Sequence, residues 1–179
     1  MKNDLILVGG GGHCRSCIDV IEREGKYKIA GIIDHLSKVG QQVLGHNIIG
    51  TDEDFPSIVH RYRYFLITIG QINSPVLREK LYRQLSEMGA VFPRIISPHA
   101  YISENAHIEN GTIVMHHAVI NAGASIGYNC IINTSAIIEH DVEIGNHCHI
   151  STGAVLNGEV QIGQGTFIGS NAVDRKSVV

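Results

Sequence analysis

The sequence predicts an α/β unit followed by a β-solenoid, and three observations carry that prediction. From Ile96 to Ile168 every sixth residue is Ile, Val or Leu without a gap. Of the 14 Lys and Arg, 12 lie at or before Arg94, and none falls between Ile95 and Asp174, so the chain changes character near residue 95. Before that point, an apolar run from Leu5 to Val8 enters four consecutive glycines, Gly9 to Gly12, as a short buried strand enters a loop.

Past the glycines, Cys14, Cys17, Ile18 and Ile21 fall at helical spacing. "IAGII" predicts a second strand ending at Asp34, and "FLITIG", Phe65 to Gly70, a third. Ser74 and Pro75 cap a helix whose apolar face is expected to be Leu77, Leu81, Leu85 and Met88. "AVFPRII" then leads into the repeats. Strand and helix in alternation predict a small Rossmann-like domain with a parallel sheet over residues 1–94, joined almost without a linker to residues 95–179.

The six-residue beat suits neither a helix at 3.6 nor a simple strand at 2, but it suits a solenoid in which each hexad is one side of a coil. Four residues after each branched residue stands a small or β-branched one, Ala100, Ala106 and Thr112 onward to Ala172, so both sets point inward. Gly and Asn near the corners, as in "IGYN" and "IGNH", accept turn geometry. The pattern resembles the hexapeptide-repeat left-handed parallel β-helix, whose coils of three hexads imply that residues 18 apart stack. Cys130 and Cys148 should then touch inside the prism as two buried thiols in place of alanine. His99 should lie under His117, and Ala122 and Gly158 should flank His140, leaving it in a groove.

With 44% hydrophobic content, 179 residues can bury one good core or two modest ones. A formal charge of −3 leaves no basic footprint, which argues against nucleic acid or an anionic membrane as the main partner. The chain has neither a signal-peptide core nor a run long enough to insert in a membrane, and four cysteines are too few for a secreted framework; a cytoplasmic protein with reduced thiols is expected.

A strand, a glycine loop and a helix start make an anion site from bare N–H groups and the positive helix end. The dinucleotide fingerprint fits poorly, because its third glycine falls on Cys14 or Arg15. A nucleotide-sugar diphosphate is therefore expected rather than NAD, with Asp34 placed to accept from a ribose and His13 to donate to phosphate or sugar. Cys14 and Cys17 match C-x-x-C at a helix start, yet both lie on the apolar face, so no redox role is expected.

On "VGGGGH", "IIDH", "ITIGQIN" and "NTSAIIEHDVEIGNHCHISTGAVLNG", the chain resembles the bacterial nucleotide-sugar N-acetyltransferases related to sialic acid O-acetyltransferase. The resemblance implies a homotrimer with acetyl-CoA, the co-substrate, in the groove between neighbouring prisms, and a nucleotide sugar on the N-terminal domain. Matching positions imply His140 as general base with Asp141 orienting it, and Asn133, His149 and Gly158 along the acetyl-CoA groove. Gly10, Gly12, His13 and Asp34 match nucleotide-sugar contacts, and Gly11, His35 and Gly70 in the same stretches are counted with them. The acceptor expected is the amine of a UDP-4-amino-4,6-dideoxy sugar destined for a surface glycan or glycoprotein, ahead of a GDP-linked sugar and of sialic acid O-acetylation. Either His149 or a backbone N–H would stabilise the oxyanion.

Two readings of other classes compete. His99, His116, His117, His147 and His149 on a prism bring to mind the hexapeptide-repeat zinc carbonic anhydrases, but no metal-ligand spacing recurs, and no metal is expected. A non-catalytic nucleotide-sugar-binding scaffold is the other. At the C-terminus the inward beat falls on Asp174, a costly carboxylate to bury, and a further coil and cap are expected beyond it. CoA phosphates would find cations only at Arg175 and Lys176 or on another subunit, so weak acetyl-CoA affinity is expected.

Overall fold

The computed structural model describes residues 2–175, in two compact units. The first comprises the chain up to Gly70 together with Leu77–Pro93; the second comprises Gln71–Val76 and the chain from Arg94 onward.

In the first unit, β1 (Asn3–Val8), α1 (Gly12–Glu24), β2 (Tyr27–Ile33), β3 (Gln42–Val43), β4 (His46–Gly50), α2 (Phe55–Arg61), β5 (Tyr64–Ile67) and α3 (Val76–Glu87) follow one another. The sheet order is β3-β4-β2-β1-β5, parallel except for the β3–β4 pair. β1 is an interior strand between β2 and β5, and Leu5 to Val8 are all buried, so they read as a continuous apolar run rather than an alternation. α1 buries Cys14, Cys17, Ile18, Val20 and Ile21 and stops at Gly25, whose left-handed backbone (φ 72°) lets its N–H cap Ile21 O. Burial pushes the Cys14 thiol up to about 11 and Cys17 higher still, so neither is a thiolate near neutrality.

Two sequence expectations change here, and one segment carried none. β5 ends at Ile67, not Gly70; Thr68 beyond it donates its N–H to Val8 O at 2.8 Å and its hydroxyl to Gly9 O at 2.7 Å. The buried face of α3 carries Leu81 and Leu85 as expected, but Leu77 and Met88 are 52% and 38% exposed. Arg78 takes the inward place, 1% exposed, its guanidinium donating to Ile67 O at 3.2 Å and Ile69 O at 2.6 Å. Carbonyls at the end of β5 need donors, and a long cationic side chain supplies them where leucine cannot. β3, β4 and α2 come from residues 42–61, where short, glycine-interrupted segments carry too weak a period to read.

The second unit is a left-handed parallel β-helix of two-residue rungs, β6 (Ile95–Ile96) through β19 (Val173–Asp174). Rungs 18 residues apart pair in parallel, Ile120 with Ile138 and Ile132 with Ile150, and form three sheets. The beat residues are the core: Ile120, Ile126, Ile132, Ile138, Ile150 and Leu156 have no exposed surface, each such burial contributing about 1.5–3 kcal/mol. Cys130 and Cys148 stack inside as free thiols, the Cys148 N–H reaching Cys130 Sγ at 3.4 Å. A second six-residue beat runs along the corners: residues 111, 117, 123, 129, 135, 141, 147, 153, 159, 165 and 171 all have φ between 53° and 76°. Glycine and Asn or Asp tolerate that region best, which is why they recur there.

The three walls differ in what they present outward. One carries Ile95, Ile113, Ile131 and His149, all buried, and Phe167, half-buried; one carries Tyr101, Val119, Ile137, Val155 and Val173, apolar and half-buried or exposed; one carries His107, Ser125, Glu143 and Gln161, all exposed.

Candidate functional site

Val8 is in register with Ile33 on one side and Ile67 on the other, so the loops that follow β1, β2 and β5 leave the sheet side by side. This is the carboxyl edge of a parallel sheet at the point where the crossovers diverge, the usual place for a ligand. Gly9, at φ 108° and packed on Ile69, needs to be glycine. Gly10 N–H donates to Asp34 Oδ2 at 2.7 Å, and a Cβ there would stand 2.8 Å from the same oxygen. Gly11 caps α1 and Gly12 opens it; both are exposed, and a Cβ at either would meet nothing within 4 Å. Crowding within the unit does not demand those two glycines, and the first turn carries no acidic residue of its own to offset the positive helix end.

His13, half-buried, and Gly70 meet at this loop, 3.6 Å separating His13 Cβ from a Cβ built on Gly70. Asp34 accepts from His35 N–H at 2.6 Å and pairs with Lys38 Nζ at 2.9 Å. Burial pushes its carboxyl up, but the hydrogen bonds from Lys38, His35 and Gly10 outweigh that and hold it below the ordinary range. A cavity of about 290 Å³ opens beside it, walled by Val8, Ile33, Phe55 and Ile69 with Asp34 and Asp52 as its acids. The structure thus gathers Gly10, Gly11, Gly12, His13, Asp34, His35 and Gly70 around one sheet edge.

In the solenoid, β13 (Ile137–Ile138) delivers His140 to a corner, and the left-handed backbone of Asp141 (φ 58°) swings its carboxylate back to the ring. His140 Nδ1 lies 3.0 Å from Asp141 Oδ2, with side chains 61% and 64% exposed. The carboxylate can only accept, so Nδ1 carries the proton of this contact, and in the neutral ring Nε2 keeps its lone pair. Both partners need small neighbours one coil away. A Cβ at Gly158 would stand 2.5 Å from His140 Cε1 and Nε2, and one at Gly123 would collide with Asp141 Oδ1.

Buried His149 and half-buried Asn133 form a second group. His149 Nδ1 meets Gln71 O at 2.6 Å, His149 Nε2 meets Asn133 Nδ2 at 3.1 Å, and Asn133 Oδ1 accepts from Thr134 N–H at 2.8 Å. Both ring nitrogens of His149 are thus engaged, one with the Gln71 carbonyl and the other with the Asn133 amide. Arg175 is exposed at the end of the described chain, and Lys176 lies outside the described residues.

The other histidines serve the coil. His116 Nδ1 is 2.6 Å from Ser97 Oγ, His147 Nδ1 is 2.8 Å from Asn129 Nδ2, and His99 stacks with His117 at 5.9 Å between ring centres. Among the described residues no group of His, Cys, Asp or Glu is arranged to hold a metal ion, and no helix is long and apolar enough to cross a membrane. Sequence reasoning missed Thr68, Gln71, Arg78, Gly123 and Thr134. For Gly123 a signal was present, since it stands 18 residues before Asp141.

Residues 4–85 match the PglD N-terminal domain family, and residues 141–173 match the bacterial transferase hexapeptide (six repeats) family. No curated protein matches the chain. Among solved structures, a mutant of perosamine N-acetyltransferase from Caulobacter crescentus, in complex with CoA and GDP-perosamine, is 27% identical, with a TM-score of 0.86 over 98% of this chain and 90% of that one. The acetyltransferase domain of PglB from Neisseria gonorrhoeae, in complex with acetyl coenzyme A, is 28% identical, with a TM-score of 0.90 over 98% of this chain and 83% of that one. WeeI from Acinetobacter baumannii, 20% identical with a TM-score of 0.75 over 99% and 93%, shares the fold.

Proposed function

We propose, from the premise that this chain belongs to the nucleotide-sugar N-acetyltransferases built from a PglD N-terminal domain and hexapeptide repeats, that it moves an acetyl group from acetyl-CoA to the amine of a nucleotide-linked amino sugar. The observation that carries the reading is the His140–Asp141 pair on a corner that Gly158 leaves clear. Asp141 fixes the tautomer, and His140 Nε2 takes a proton as the amine nitrogen attacks the thioester carbonyl. The tetrahedral intermediate collapses, the carbon–sulfur bond breaks, and the leaving thiolate recovers that proton from the imidazolium. A backbone N–H stabilises the oxyanion. The glycine loop and start of α1 hold the diphosphate, while Asp34, His35, His13 and Gly70 surround the ribose and sugar. Asn133, His149 and Gly158 line the acetyl end of the CoA groove, and Arg175 with Lys176 answers its phosphates.

The apolar ridge of Val119, Ile137 and Val155 supports a homotrimer in which a second copy covers that wall, with the catalytic corner following its rung β13. Four free, buried cysteines suit a cytoplasmic setting, where acetyl-CoA is made available. The favoured acceptor is a UDP-4-amino sugar. A thiol-release assay with acetyl-CoA and a panel of UDP- and GDP-linked amino sugars tests the reading. Turnover is expected with one of the panel and a loss of roughly 10²-fold or more in His140→Ala. Silence with every amino sugar, or a fully active His140→Ala protein, would remove it.

A further inference from the structure

The geometry points to Gln71 as a positioning residue for acetyl transfer: its backbone carbonyl locks His149 in the Nδ1–H tautomer, and its side chain anchors that carbonyl to the solenoid. The inference rests on the N-acetyltransferase reading above, and goes further by naming what fixes the polar lining of the acetyl end.

Gln71 is 2% exposed, although it follows the loop glycine Gly70 in sequence and is an uncharged polar residue that composition would place at the surface. Its Nε2 donates to Gly165 O at 3.0 Å, and its own carbonyl lies 2.6 Å from His149 Nδ1. A carbonyl has no proton to give, so the proton in that short contact sits on Nδ1. The neutral ring then has an acceptor at Nε2, and Asn133 Nδ2 donates into it at 3.1 Å.

The amide of Asn133 cannot be turned round. Its Oδ1 takes the Thr134 N–H at 2.8 Å, and a flipped amide would face an N–H with an NH2 there and a lone pair with an oxygen at His149. Phe167, one coil on, packs edge-to-face on the His149 ring at 5.2 Å between centres and holds its plane. Polarity is thus passed in one direction: Thr134 N–H to Asn133, Asn133 to His149, His149 to Gln71. The second N–H of Asn133 is left with a set direction, available to an acceptor on the acetyl donor.

Without the Gln71 side chain, nothing ties its carbonyl to Gly165 O. His149 is then free to carry its proton on Nε2, which meets Asn133 donor against donor and turns the amide away. Misdirection of a group by an ångström or so costs about 10- to 100-fold in rate.

The full chain labelled with 15N at histidine, observed by long-range 1H–15N correlation near neutral pH and without substrate, gives the direct test. His149 is identified by the signals that vanish in His149→Phe. The wild-type ring is expected to show a protonated Nδ1 and a bare Nε2. In Gln71→Met, which keeps length and loses the donor, the ring is expected to shift toward Nε2–H, with kcat down about 10- to 100-fold and both KM values within about twofold. Asn133→Asp puts an acceptor at Nε2, and a doubly protonated ring is expected. A wild-type His149 protonated at Nε2 overturns the inference, as does Gln71→Met with tautomer and kcat unchanged. The spectrum needs no turnover, so failure of the tautomer lock and failure of the acetyltransferase reading are told apart.

Discussion

In the solenoid, Ile138 and Ile144 do for their walls what Ile132 does for its own, whereas around the glycine loop no two buried residues have the same task. Thr68 holds Gly9, Arg78 holds the carbonyls on either side of Thr68, and Asp34 holds Gly10. The difference teaches where each unit can carry chemistry. A coil whose core repeats every six residues leaves its corners free of packing duty, so His140 and Asp141 stand exposed and cost the core nothing. The glycine loop has no such independence. Its shape is held by single, non-repeated hydrogen bonds, and each one lost is felt by whatever binds there.

Variants can break this contrast, and the largest effect should come from the corner. His140→Ala should lower kcat by roughly 10²-fold or more while the thermal midpoint stays put, since the side chain is mostly in water. A large fall in the melting temperature would show the corner to be structural after all. Arg78→Met should do the reverse in the other unit, costing about 1–3 kcal/mol in a denaturant titration because two carbonyls lose a charged donor. It should also raise the KM for the nucleotide sugar and leave that for acetyl-CoA alone. Gly158→Ala sharpens the comparison: its Cβ would press on Nε2 and Cε1 of His140, so kcat should drop about tenfold with the solenoid intact by circular dichroism.

The smallest effect concerns Asp34. Its carboxyl is held below its ordinary value in the folded state, so the stability it adds is fully present above the unfolded value of about 3.9 and disappears as pH falls through the lower folded value. Asp34→Asn should therefore be less stable than the wild type at neutral pH, and the two should converge as pH drops below about 4. Lys38 is partly in solvent, so added salt should shrink the gap. A gap that widened on acidification would contradict the bonding described.

Some of this was legible in order along the chain. The inward residues, the coil length taken with the family resemblance, and the placing of Gly158 over His140 all follow from counting in sixes and eighteens. α1 and β1 were equally plain, because an apolar run into glycines and four apolar residues at helical spacing are local patterns. The errors have local causes too. Helical spacing puts Leu77 on the apolar face of α3, where the fold instead turns Arg78 inward, and the strands between Gln42 and Arg61 are too short to show a period.

By itself, the sequence determined what depends on neighbours along the chain: the stacking of each coil on the last, the anion-ready start of α1, and the adjacency of His140 to the carboxylate that orients it. Tertiary structure alone decided which side chains met lone backbone carbonyls, Arg78 at Ile67 and Ile69, and His149 at Gln71 across 78 positions. The reason is physical. Every residue carries the same carbonyl, so nothing in its identity announces the donor it will receive until the chain has folded and brought the two together.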